Sequence, residues 1–471
     1  MLTQAADIVI CGAGLAGISA AYHLALRQGL HDVLLVDERA PLSLTSDKSS
    51  ECYRNWWPGI PCAPDESAHV RPEAMVRLMD RSIDILEILA HESGNAFRLN
   101  RRGYLYATGD PARIPEMQRA AEGIARLGAG SLRCHTGRLG EPAYAPAPPA
   151  GFEGQPAGAD LITDPAIIRQ HFPYLSQQVV AALHVRRAGW LSAQQLGMYL
   201  LEKALGAGVR MLRARVTGVE AQGGRVQNVC LETEGGGAGI ATRCFVNAAG
   251  PLCAGLARTM GVDLPISAEL HAKVTFHDVQ RAVPRTAPLL IWDDAQRLVW
   301  DEEERAAWAE SEDMRWLLDE LPGGAHTRPD GPAESDVVMM LWPYHARPVE
   351  VAWPLAFDPA YAEVTLRGIA TLLPAAERYL QRLPRLSVDG GYYMRTPENR
   401  PLIGPLPVEG AYVIGALSGF GVMASCAAGE LLAAHVAGSG LPDYAPAFRL
   451  ERYENPIYRQ AIERPLPGGQ L

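Results

Sequence analysis

Residues 7–38 read DIVICGAGLAGISAAYHLALRQGLHDVLLVDE, and their order decides the fold. The apolar run 7–11 has strand length, and Gly12, Ala13, Gly14, Leu15, Ala16 and Gly17 follow at once. A helical pattern then runs to Gly29, and a second strand ends at Asp37 and Glu38, just before Arg39. This is a strand, turn, helix, strand unit with GxGxxG at the turn and a carboxylate twenty residues after the third glycine. Gly12 permits the tight turn, Gly14 lets backbone amides approach a pyrophosphate, and Gly17 lets helix and strand pack closely. The helix N-terminus adds amides and the positive end of its dipole. Asp37, with Glu38 as second choice, is placed to accept from ribose hydroxyls. The unit predicts an α/β dinucleotide-binding domain and leaves NAD against FAD open.

The bulk numbers agree with a large enzyme-like chain. Its 471 residues are 48% hydrophobic and 20% charged, enough for about two or three domains. The formal net charge of -10 and the absence of a long basic run argue against nucleic acid or an anionic membrane surface as partner. Eight scattered cysteines without a CxxC suit a reduced cytoplasmic protein and point to no metal. No apolar run reaches membrane-span length and no leader pattern opens the chain, so a soluble, untargeted protein is expected. Of the 43 basic residues only Lys48, Lys203 and Lys273 are lysine. A GC-rich coding bias accounts for most of that, yet a retained lysine can serve as a compact, titratable ammonium.

Further along, a helical stretch (193–208) and the strand-like VRMLRARVTGVEAQ (209–222) precede CFVNAAGPLCAGLA (244–257). Residues 389–438 then contain TPEN, PLIG, a short strand, GALSGFG and a helix. This order resembles the D-amino-acid oxidase, sarcosine oxidase and glycine oxidase superfamily of FAD-dependent oxidoreductases. The resemblance runs from residue 7 to about 438 and implies a Rossmann-like FAD-binding domain, discontinuous in sequence, with a second, mainly antiparallel-sheet substrate domain. It places Val216 against the adenine and Ala248 and Gly250 near the dinucleotide. Gly415, Ser418, Gly419, Phe420, Gly421, Val422 and Met423 would lie by the flavin ring, where the helix dipole stabilises the anionic reduced form.

The stretch TSDKSSECYRNWWPG (45–59) crowds charges and aromatics behind the phosphate loop. In sarcosine oxidases this segment crosses the flavin and presents an arginine to the substrate. Laid on that pattern, Ser46, Lys48, Ser49 and Ser50 fall near the cofactor and Arg54 takes the arginine position. Tyr53, Trp56 and Trp57 would wall the pocket. Where many relatives carry a second, carboxylate-binding lysine, this chain has Met423. Where monomeric sarcosine oxidases attach flavin through cysteine it has Gly391, and the histidine attachment position falls near Asp47. Non-covalent FAD is therefore expected.

The expected division is 1–110, 176–263 and 389–471 for the FAD domain, 111–175 for an insertion, and 264–388 for the substrate domain. Residues 140–160, rich in Pro, Ala and Gly, read as a surface loop and a candidate lid. His271 and Lys273 share one face of a strand. Lys273 is a candidate for the lysine that assists oxygen chemistry in sarcosine oxidases, and His345, Tyr392 and Tyr393 are pocket candidates by position. The expected reaction is oxidation of the C–N bond of a small amine or amino acid, with oxygen or another acceptor closing the cycle. Two rivals stay open. One is oxidation of a C–OH substrate with His271 or His345 as base, and the other is a flavin-bearing subunit of a hetero-complex.

Overall fold

Alternation and burial explain why the opening unit folds as it does. In the computed structural model, which describes residues 5–57 and 73–462, Ile8–Cys11 is the centre of a six-stranded sheet. Its order is Leu402–Pro405, Ala411–Gly415, Cys244–Asn247, Ile8–Cys11, Val33–Asp37, Arg210–Arg213. All neighbours are parallel except the first pair, so both faces are covered and the strands are almost wholly apolar. The turn demands its glycines. Gly12 holds φ +112°, and a Cβ there would lie 2.3 Å from the Ala248 carbonyl oxygen. A Cβ on Gly17 would lie 1.9 Å from the Gly12 carbonyl oxygen.

Helix Leu15–Gln28 packs on helix Gly421–Ala437. A Cβ on Gly429 would meet Ser19 Oγ at 2.3 Å, which is how closely the two approach. The span Ser418–Ala437 is apolar and long enough to cross a membrane, but 72% of its most apolar window is buried against the rest of the chain.

A second, ten-stranded sheet carries the remaining half. Its core strand, Ser267–His277, pairs antiparallel with Val337–Leu341 and with Ser387–Arg395. The sheet continues through Ala325–Pro329, Leu289–Trp292, Tyr104–Thr108, Ala181–Val185, Ala159–Ile162 and Leu132–His135. Helix Tyr361–Leu372 buries one face of it around Trp342.

Three expectations are corrected. Tyr104–Thr108 and Ala181–Val185, expected in the FAD domain, belong to the ten-stranded sheet. So do two strands of the supposed insertion and most of Ser387–Arg395. Long-range pairing decides sheet membership, and strand composition does not encode the partner. The stretch 209–222 is two strands, not one. The chain breaks at Ala214, whose amide donates to the Asp37 carbonyl, and Arg215–Gln222 enters a separate three-stranded sheet. Residues 141–158 form no helix or strand, while 159 and 160 already belong to a strand. The loop is pinned by buried Tyr144, hydrogen-bonded to His184 Nδ1 at 2.8 Å, and by buried Phe152. Cys62, Pro58 and Gly59 lie outside the described residues.

Candidate active site

Three joined cavities run between the two sheets. The outermost, of about 520 Å3, is lined by Gly12, Asp37, Glu38, Arg39 and Val216, among others. Ser46, Gly14, Ala248 and Gly250 line both it and a middle trough of about 120 Å3. Leu15, Ala16, Lys48, Ser49, Tyr392, Gly415, Ser418, Gly421 and Val422 also line the trough. Tyr393 and Gly419 lead on into an inner chamber of about 70 Å3.

The outer cleft and trough form a cradle for an anion. Gly14 caps helix Leu15–Gln28 with no side-chain hydrogen bond and no acidic residue in the first turn. Ser46 Oγ takes the Leu15 amide at 3.0 Å. Asp37 accepts from the Ala13 amide at 2.7 Å and the Arg39 amide at 2.8 Å, which locks the turn to the strand end. Ala13 and Gly17 are thus structural rather than exposed to the cleft. Helix Gly421–Ala437 also starts without an acidic residue in its first turn, and the loop before it holds Ala416 at φ +53° and Ser418 at φ +44°. Strained backbone of this kind persists where surroundings fix it, often at ligand sites. Among the described residues, no Asp or Glu lines the trough, and Lys48 is its one cation. Hydrogen bonding to Asp47 raises the Lys48 pKa above its ordinary value, and Asp389 reinforces this, at 2.8 and 3.0 Å respectively.

The chamber is built by strand alternation. In Cys52–Arg54, paired with Ala188–Trp190, Cys52 and Arg54 face the chamber while Tyr53 points away. The Tyr53 hydroxyl donates to the Asn100 carbonyl at 2.7 Å. Trp57 lines the chamber and Trp56 joins the apolar core. Tyr53 and Trp56 are therefore core residues, which corrects the expectation that all three aromatics wall the pocket. Arg54 donates to the Tyr106 hydroxyl at 2.7 Å and lies 5.7 Å over both Trp57 and Tyr104. Phe420 and Met423, expected beside the cofactor, line the chamber next to Gly419.

His271 and His345 reach the same chamber, and so does His326, which the sequence reading missed. His326 Nδ1 sits 2.8 Å from the Gly324 carbonyl, so it donates and leaves Nε2 bare. Burial pushes its pKa down to about 4 and lowers that of His345. Lys273 does not line the chamber. Its Nζ donates to the Ser49 carbonyl at 3.0 Å, and burial lowers its pKa against the pull of Asp389 and Glu51. One buried and one half-buried arginine were also missed. Arg328 donates twice to the Ser50 carbonyl and pairs with Asp330 at 2.7 Å, while Arg395 pairs with Glu269. The i, i+2 pattern of ELHAK was the available signal for Glu269, whereas Arg328 carries no local signal. None of residues 141–158 lines any of these cavities.

A nucleotide cradle opening into a closed chamber defines a dinucleotide-dependent redox enzyme. The family model described as FAD dependent oxidoreductase matches residues 7–435, and the chain belongs to that family. Its cofactor is FAD, held non-covalently. The uncapped helix start, the acid-free trough and the glycine turn fit it. Among solved structures, L-proline dehydrogenase from P. horikoshii is similar at TM-score 0.67 and 20% identity, over 96% of this chain and 99% of that one. Glycine oxidase from Geobacillus kaustophilus reaches 0.66 at 17% identity, over 93% and 96%. Iminodiacetate oxidase from a Chelativorans species reaches 0.64 at 17%, over 92% and 96%. No curated protein sequence matches the chain.

Proposed function

We propose that this oxidoreductase oxidises the C–N bond of a small amine that bears an anionic group, most simply an amino acid. The observation that carries the reading is Arg54: a guanidinium, 2% exposed, lining a chamber in which no described residue is Asp or Glu. A buried guanidinium of this kind suits a carboxylate. Similar solved structures include a glycine oxidase, an L-proline dehydrogenase and an iminodiacetate oxidase, which supports the same class.

When bound, FAD supplies the hydride acceptor. The protein supplies placement. Arg54 fixes the substrate anion through charge-assisted hydrogen bonds. Trp57, Tyr104, Leu289, Trp342 and Phe420 exclude water and keep the amine close to the trough. Burial in the chamber disfavours a charged amine, so the unprotonated form, whose lone pair must form the C=N bond, is favoured over the ammonium. Met423 stands where a second cation would complete a carboxylate clamp, so Arg54 bears the anion alone. We assign Lys273, whose ammonium lies beneath the crossing segment at Ser49, to reoxidation by oxygen.

The test is the visible spectrum of the purified protein under anaerobic addition of amino acids, secondary amines and hydroxy acids in separate pools. Bleaching by an amine pool is expected. Bleaching by hydroxy acids alone would transfer the reading to C–OH oxidation.

A further inference from the structure

On the reading just proposed, we infer that Glu269 fixes His271 in the tautomer whose bare Nδ1 faces the substrate chamber, so that His271 takes the proton an incoming ammonium must shed. Glu269, His271 and Lys273 share one face of Ser267–His277, and none of them donates into the core behind the strand. His271 Nε2 lies 3.0 Å from Glu269 Oε2. A carboxylate only accepts, so Nε2 is the nitrogen that carries hydrogen.

The carboxylate is itself fixed. Arg395 Nη1 reaches both its oxygens at 3.0 Å from the neighbouring strand, where Ser267 pairs with Arg395 and Glu269 with Tyr393. Burial alone would raise the Glu269 pKa, but the hydrogen bonds from His271 and Arg395 outweigh it and hold the group below its ordinary value. The ring plane is set by Tyr393, stacked on His271 with centroids 3.9 Å apart at 15°. Tyr393 in turn rests on the loop before the C-terminal helix, since a Cβ on Gly419 would come 2.6 Å from its ring. With Nε2 committed and the ring lining the chamber, Nδ1 is the atom left for the substrate.

Among the described residues, the other charged and titratable groups around the ring and the chamber are Arg395, Tyr393, His326, His345, Cys52, Tyr104 and Tyr361, with Arg54. Among the described residues, no other imidazole lining the chamber is hydrogen-bonded to a carboxylate. In the step, the substrate R–NH3+ gives one proton to Nδ1, leaving R–NH2 and an imidazolium whose Nε2–H faces the Glu269 carboxylate. No electrons move in it. Glu269 is a positioning residue, and His271 is the group that touches substrate.

The arrangement makes a prediction with a sign. Glu269→Gln keeps an oxygen for Arg395 but turns an amide N–H2 toward the ring, so Nε2 must accept and Nδ1 must carry the hydrogen. In the FAD-loaded protein labelled with 15N-histidine, the His271 resonances, assigned by their loss in His271→Gln, should show a protonated Nε2 and a bare Nδ1. Glu269→Gln should reverse that pattern. It should also slow anaerobic flavin reduction by the active amine roughly 100-fold with KM little changed, at unchanged flavin content, and Glu269→Asp should recover part of the loss. A bare Nε2 in the unmutated protein, or a Glu269→Gln protein with unchanged pattern and rate, would overturn the inference. The readings also separate. The stated tautomer in a protein that no amine bleaches would sink the amine reading and the proton step with it, whereas the opposite tautomer in a protein that amines do bleach would sink the Glu269 inference alone.

Discussion

Trp57 meets Phe420 edge to face, with ring centroids 4.8 Å apart at 88°, and so joins the crossing segment to the C-terminal loop at the chamber wall. Arg54 lies over the same Trp57. Because its aromatic and Tyr106 contacts fix the guanidinium before substrate arrives, its loss should be felt in binding. Arg54→Ala should raise KM about 10- to 100-fold, the value of one charge-assisted hydrogen bond or two, while the flavin-to-protein absorbance ratio stays constant. A drop in that ratio instead would make Arg54 a cofactor ligand.

Gly14 lines both the outer cleft and the trough, and a Cβ there would already stand 3.2 Å from Ser46 Oγ. Gly14→Val places two further methyl groups in the space a pyrophosphate needs. The purified variant should be colourless, and dialysis against excess FAD followed by gel filtration should not restore the yellow band.

Arg328 is 1% exposed and ties the Ser50 carbonyl, Asp330 and Glu51 into one buried cluster. Arg328→Met leaves two carboxylates without their main cation, so stability in urea should fall by about 3–5 kcal/mol. If the loss is under 1 kcal/mol, the cluster contributes little beyond holding the segment's register.

Lys273→Met should slow reoxidation by oxygen at least about tenfold while leaving anaerobic reduction by the amine within roughly twofold, since no lining position of the chamber is altered. Stopped-flow measurement of the two half-reactions decides it. Equal slowing of both would point to a role in shaping the crossing segment through Ser49.

Burial holds His326 at about 4 and His184 at about 3, both below the ordinary 6.5. A ring whose folded pKa is depressed stabilises the fold above the unfolded pKa. That stability is lost as the pH falls from about 6.5 toward the folded value, on the order of 3 kcal/mol per ring. The urea midpoint should therefore drop between pH 6.5 and 4, and His184→Gln should flatten part of that slope.

The nucleotide half of the molecule was legible because its signals are local. GxGxxG, the carboxylate at 37 and GALSGFG each state their geometry within a few residues, and the glycines are forced by backbone contacts that any such turn makes. The chamber was legible only where alternation is short-range, as in Cys52–Arg54 once Arg54 is set inward. The same alternation turns Tyr53 outward, which reading by residue type could not show. Arg328 meets the crossing segment at the Ser50 carbonyl, 278 residues away in the chain, and His326 reaches the chamber from a strand paired with Leu289–Trp292. Nothing near either residue in the chain announces that.

The face of Ser267–His277 that carries Glu269, His271 and Lys273 alternates with one that carries Leu270, Ala272 and Val274. A strand has period two, so a one-residue shift of register would put an aliphatic side chain where His271 meets the chamber. Relatives of this chain could thus acquire or discard a proton-handling wall in one genetic step. Their substrates should differ most sharply where this one strand differs in length.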